Sequence, residues 1–119
     1  MADGLKDQLR DFALSLPGAW EDHPWGESAA KVGVKVFAFF GVPGTGFGMS
    51  VKLPQSSEAL LTMPFARPAG YNLGKSGWVE MHFTDDDAPP IDLLLDCVEE
   101  SYRAIAPKTL VRELDAREA

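Results

Sequence analysis

Residues 30–53 read AKVGVKVFAFFGVPGTGFGMSVKL. The Val- and Phe-rich run 30–40 has the composition of a strand. After Gly41-Val42-Pro43-Gly44-Thr45-Gly46, Met49, Val51 and Leu53 alternate with Ser50 and Lys52. β-Branched and aromatic side chains fill a half-buried pleated surface, and glycine with proline supplies the turn between two such runs. The reading is two antiparallel strands joined by a glycine-rich loop. A hairpin connection is the better reading of this run than a phosphate-cradling loop, because it lacks a Gly-Lys-Ser/Thr ending and leads into a strand instead of a helix.

Moving outward, Trp78 to Phe83 alternates as a third strand, and the stretch from Ala66 to Gly77 before it reads as a long loop. Ser56 or Ser57 caps a helix of two or three turns carrying Leu60, Leu61 and Met63, which Pro64 ends. Asp85-Asp86-Asp87 favours the start of a helix opening near Pro89-Pro90. That helix shows Ile91, Leu94, Leu95, Val98, Tyr102 and Ile105 on one face. Pro107 restarts a short helix with Leu110, Val111 and Leu114. At the other end, Leu5, Leu9, Phe12, Ala13 and Leu16 have helical spacing after Asp3, and Pro17-Gly18 stops it. Trp20 to Trp25 reads as a short edge strand or tight turn, whose indoles cover the core while Glu21 and Asp22 discourage edge pairing. The sum is an α+β fold: one domain over residues 1–119, with a twisted antiparallel sheet and helices packed mainly on one face. Val34, Val36, Val51, Met81, Leu94, Val98 and Tyr102 are expected to share its core.

Charge is unevenly placed. The chain carries −7 in total. Residues 28–79 nevertheless hold Lys31, Lys35, Lys52, Arg67 and Lys75 against Glu58 alone, and the acidic excess sits in the two flanks. Strict alternation would put Val32, Val34, Val36, Ala38 and Phe40 on one face and Lys31, Lys35, Phe37 and Phe39 on the other, joined there by Lys52, Trp78 and His82. Cations interleaved with aromatics on an open sheet suit phosphates and stacked bases. The candidate nucleic-acid or anion-binding residues are therefore Lys31, Lys35, Phe37, Lys52, Lys75 and Trp78, with DNA or RNA as a weak, salt-sensitive partner. The plainer reading is that the aromatics are covered and the lysines merely solubilise the face. A protein-interaction or small-ligand adaptor using the same sheet or the Trp20–Trp25 edge is the alternative function.

Catalytic and metal chemistry find little support. His23 and His82 have no close Cys/His partners of the kind a zinc site shows, and Cys97 sits within a helical pattern as a packing residue. No cofactor, no metal and no catalytic residue is expected. A single cysteine fits a reducing compartment, and the N-terminus lacks an apolar signal core, so cytoplasmic location and no membrane role are expected. Leu93 and Cys97 lie off the main apolar stripe, positioned for the last helix or a second subunit. A monomer or weak homodimer is the expectation.

The order Leu16-Pro17-Gly18, Pro24-Trp25-Gly26, Lys35-Val36-Phe37-Ala38 and Val51-Lys52-Leu53-Pro54 resembles the MmcQ/YjbR-like family, over roughly residues 5–114. Tyr71-Asn72, Lys75 and Trp78 resemble that family's aromatic, Asn-Lys and Trp block, and Ser101-Tyr102 its Ser-Tyr pair in a long C-terminal helix. The resemblance implies an α+β domain with an N-terminal helix and a long C-terminal helix. It also implies a DNA-binding label resting on likeness to a double-wing architecture. The spacing between Asn72 and Trp78 departs from the family's usual pattern.

Overall fold

A computed structural model describes residues 2–23, 28–41, 47–70, 76–84 and 90–118. The elements are α1 (Ala2–Leu14), β1 (Ala19–Asp22), β2 (Ser28–Val32), β3 (Lys35–Phe40), β4 (Phe47–Lys52), α2 (Ser57–Leu60), β5 (Ala66–Pro68), β6 (Trp78–Phe83), α3 (Ile91–Ile105) and α4 (Lys108–Glu118). Among the described residues the strands form one antiparallel sheet in the order β1-β2-β3-β4-β6-β5. The expected α+β architecture is correct, with α1 and α3 packed together over β3 and β4.

Two local features overturn the expected single strand over residues 30–40. The run folds back at Gly33-Val34, a two-residue turn that pairs Val32 with Lys35. Gly33 has φ +62°, and glycine in the first central position is what a type II′ hairpin turn asks for. Further along, Ala30 pairs with Ala38 but its neighbour Lys31 pairs with Val36, so Phe37 is an extra residue in β3. Such a bulge breaks the alternation of side chains. Phe37, Ala38 and Phe40 consequently all lie in the core, whereas Val36 is only half-buried and Val34 is 88% exposed at the turn. The expected places of Val34 and Val36 in the core are therefore corrected.

The core itself joins Leu9, Ala13 and Leu16 to Phe40, Met49, Val51, Val79 and Met81 of the sheet and to Leu94, Val98 and Tyr102 of α3. Cys97 is buried in this cluster and Leu93 packs against it, so the apolar side of α3 is wider than one stripe. Burial of these side chains is the dominant stabilising term, at about 1.5–3 kcal/mol for each large one. α3 ends at Ile105 for a steric reason. Ala106 precedes Pro107 and is extended, with φ −67° and ψ 150°, because the proline ring disfavours the helical conformation in the residue before it.

The remaining differences are also local. α2 is one turn, not two or three, since Thr62 and Met63 bond back to Ala59 and Leu60 in tight i→i−3 turns ahead of Pro64. Its start is held from outside: the Glu100 carboxylate on α3 accepts the backbone N–H groups of Gln55 and Ser56 and the Ser56 hydroxyl, at 3.0, 3.1 and 2.6 Å. A carboxylate is the ideal partner for such unpaired amides. The supposed loop after Ala66 begins with a strand, β5, whose Arg67 pairs with Glu80 of β6.

Candidate functional site

Cross-strand partners share a face of a sheet, so the register sorts every strand residue onto the helix side or the open side. One row on the side away from α1 and α3 crosses all the strands: Asp22, Ala29, Phe39, Ser50, Glu80 and Arg67, with Ala29 wholly buried, Arg67 exposed and the rest half-buried. Trp20, Lys31 and Val36 form a second row, and Lys52 faces Trp78 in a third. His82, opposite Gly48, completes this face and is exposed.

The centre of the open face is aromatic. Phe39 and Trp78 lie with ring centroids 6.0 Å apart and planes tilted by 53°, both half-buried, and Lys52 stands across the strand pair from Trp78. Toward β1, the Trp20 indole donates to the Gly33 carbonyl at 3.0 Å and fastens the hairpin turn. The Lys31 ammonium sits 5.0 Å from the Trp20 ring, within the range of a cation–π contact.

The basic residues do not converge as a patch of free cations. Lys31 donates to Asp22 at 3.1 Å, and that contact, followed by the His23 backbone N–H, lowers the Asp22 pKa below its ordinary value. Arg67 is paired with Glu80 through its Nε at 2.9 Å. Lys35 shares Val32's side of the sheet, not Lys31's, and is exposed beside the turn. Lys75, like Pro24 to Glu27 and Tyr71 to Gly74, lies outside the described residues. Phe37 requires a correction: it is wholly buried, with its ring edge-on to Tyr102 at 5.3 Å and 81°, so no base can stack on it. Of the six residues named from the sequence, Lys31, Lys52 and Trp78 share the open face, and Lys52 is the one of them whose charge is not spent on a described carboxylate.

Ser101 and Tyr102 act in the structure. The Ser101 hydroxyl, fully buried on α3, donates to the Phe37 carbonyl at 2.5 Å and accepts the Lys52 backbone N–H at 2.8 Å. The β3–β4 register runs only as far as Ala38 and Val51, so this hydroxyl replaces the next bond of the ladder beside the bulge. The Tyr102 hydroxyl donates to the Pro17 carbonyl at 2.6 Å, tying α3 to the turn between α1 and β1. Burial raises the Tyr102 pKa.

Among the described residues, Ser28, Glu21 and His23 lie together but not in the order of a catalytic triad. Ser28 donates to Glu21 at 2.6 Å, and His23 Nε2 stands 3.7 Å from the same carboxylate oxygen. The acid is thus in the middle, where a nucleophile-activating triad needs the imidazole. The Cys97 thiol is pushed up to about 12, chiefly by burial, so it is protonated at neutral pH. No metal-holding group of three or more His, Cys, Asp or Glu occurs among the described residues. No described helix is long and apolar enough to cross a membrane.

Sequence reasoning missed a cleft of about 370 Å³ beside α3, lined by Pro54, Gln55, Asp96, Glu99, Glu100, Arg103 and Ala104. The spacing of Asp96, Glu99, Glu100 and Arg103 on consecutive turns signals a polar side of α3, but what faces it could not be read from the chain.

The YjbR family profile matches residues 14–104. The chain belongs to the YjbR family. A Deinococcus radiodurans protein with the DUF419 domain has a crystal structure similar to this one, at 27% identity and a TM-score of 0.70, covering 92% of this chain and 86% of that one. A structural-genomics target from Pseudomonas syringae shares the fold at 19% identity and a TM-score of 0.58, covering 82% of this chain and 96% of that one. Curated proteins give no match. In this YjbR chain Ser101 completes the sheet and Tyr102 ties α3 to the turn after α1.

Proposed function

We propose that this YjbR domain is a non-catalytic binding module whose open sheet face takes single-stranded nucleic acid, by stacking more than by phosphate contact. The observation that carries the reading is the Phe39–Trp78 pair with Lys52 beside it, on the side of the sheet away from the α1–α3 core. Aromatic platforms on a sheet accept any base, because every base has a π-face. With Lys31 and Arg67 committed to Asp22 and Glu80, few phosphates are neutralised. Affinity is therefore weak, and the salt dependence shallow for a nucleic-acid binder. The same ion pairs favour a second reading, a protein partner, since a nearly neutral face with half-buried aromatics and the exposed Trp20 matches the centre of a protein interface.

Fluorescence anisotropy with labelled single-stranded DNA and RNA separates the two. Binding at low salt with a log–log slope of about one unit or less supports the nucleic-acid reading. A steep slope would mean that phosphates and not bases hold the ligand. The absence of binding to any single-stranded probe at low salt would overturn the reading and leave the surface to a protein partner.

A further inference from the structure

Arg103 holds the C-terminal helix from outside the core. On α3 its guanidinium meets Glu99 at 3.0 Å, and it reaches across to Asp115 at 2.8 Å and Glu118 at 3.3 Å on α4. A second tie runs the other way, from Arg117 on α4 to the Ser15 carbonyl just beyond α1, at 2.7 Å. Against these polar ties α4 offers one buried side chain, Leu114, with Leu110 and Val111 half-buried and its other residues exposed. Leu110 sits over Gly18, where an added Cβ would come within 2.9 Å of its Cδ1.

The attachment is also separable along the chain. The backbone bond from Ala106 to Tyr102 closes α3, and the next bonds start afresh at the Pro107 carbonyl, accepted from Leu110 and Val111. Among the described residues no helical hydrogen bond crosses the joint. The family profile stops at residue 104, before α4 begins. The sheet, α1 and α3 form one continuous apolar cluster, to which α4 adds Leu114, with Leu110 packed against it.

We infer that α4 is a releasable clasp, an ion-paired helix that leaves and regains its seat at the Pro17–Gly18 end of the domain while the sheet, α1 and α3 stay folded, with ionic strength controlling its release. Exposed ion pairs weaken as salt screens them, whereas apolar burial does not. An isolated helix of this length is marginal in water, so the released segment melts, and its amides then report the opening. Release uncovers the Gly18 turn and the apolar strip under Leu110 and Leu114.

Hydrogen exchange read by mass spectrometry on the full chain tests this. Raising sodium chloride from about 0.05 M to about 0.5 M, a change that shortens the screening length severalfold, should speed exchange in residues 108–118 roughly tenfold and leave β3, β4 and α3 unchanged. Arg103→Gln should give the same pattern at low salt. Should that variant fail to fold, Asp115→Asn, which removes one exposed tie, reads the same opening. Protection of α4 that is independent of salt and equal to that of the sheet would overturn the inference. So would loss of protection in α4 and the sheet together.

Discussion

The Ser101 hydroxyl donates to the Phe37 carbonyl across 2.5 Å, and it occupies the place in the sheet that the bulge leaves without a strand partner. An α-helical side chain thereby becomes part of a β-ladder. Ser101 Oγ also accepts the Lys52 N–H, so one group satisfies a buried acceptor and a half-buried donor on neighbouring strands.

Ser101→Ala removes both bonds at once and leaves the two backbone groups without their partner. The expected cost is about 1–3 kcal/mol, because an orphaned buried polar group loses its solvation without compensation. The midpoint of urea unfolding should fall with no change in slope. A midpoint within error of the parent would mean that the ladder closes without the hydroxyl.

Tyr102 separates two contributions in one residue. Tyr102→Phe keeps the ring against Phe37 and removes the bond to the buried Pro17 carbonyl, for an expected loss of about 1–3 kcal/mol. Tyr102→Ala also empties the core and should cost about 3–5 kcal/mol. Equal losses in denaturant unfolding would show that the hydroxyl, and not the ring, is what α3 needs.

Much of this fold is legible in the order of the amino acids alone, and the reasons differ by element. The run Ile91 to Ile105 has a sustained helical period and ends at a residue whose conformation Pro107 dictates, so both its type and its end follow from local sterics. The Trp78–Phe83 strand alternates without interruption and lies where alternation puts it. Residues 30–40 fail for the opposite reason. Their apolar composition is continuous, and the glycine at Gly33 that marks the turn is easily taken for a small residue within a strand. The bulge at Phe37 leaves no mark in composition at all, since it is a matter of the register between β2 and β3. The site shares this fate. Trp78 and Lys52 follow from uninterrupted alternation, Phe37 does not, and the pairing of Lys31 with Asp22 depends on a register between strands that only the fold supplies.

The Cys97 thiol gives a pH dependence of definite sign. Its pKa in the fold is about 12 against an ordinary 9.0. Above pH 9 the unfolded chain therefore releases a proton that the folded chain keeps, and stability falls as pH rises from about 9 toward 12. Burial raises Tyr102 in the same direction. Urea unfolding followed across this window should lose stability more steeply in the parent than in Cys97→Ala; parallel curves would place the thiol in contact with solvent. Native protein should also resist a thiol reagent at neutral pH and react in urea.

Phe37 and Trp78, grouped together by simple alternation, should behave as opposites when each is replaced by alanine. Phe37 is wholly buried in the core, so Phe37→Ala should cost about 3–5 kcal/mol of stability, and any change in ligand binding should vanish once the unfolded fraction is allowed for. Trp78 is half-buried on the open face against Phe39, with no buried core position to vacate. Trp78→Ala should cost far less stability yet weaken single-strand binding by about 1–3 kcal/mol, with the salt slope unchanged because no phosphate contact is lost. Lys52→Gln supplies the converse, flattening the slope by about one unit or less. Paired urea unfolding and anisotropy titrations on the three variants measure both quantities. If Trp78→Ala binds as the parent does while remaining folded, the aromatic pair is not the platform, and the open face serves a partner that does not stack.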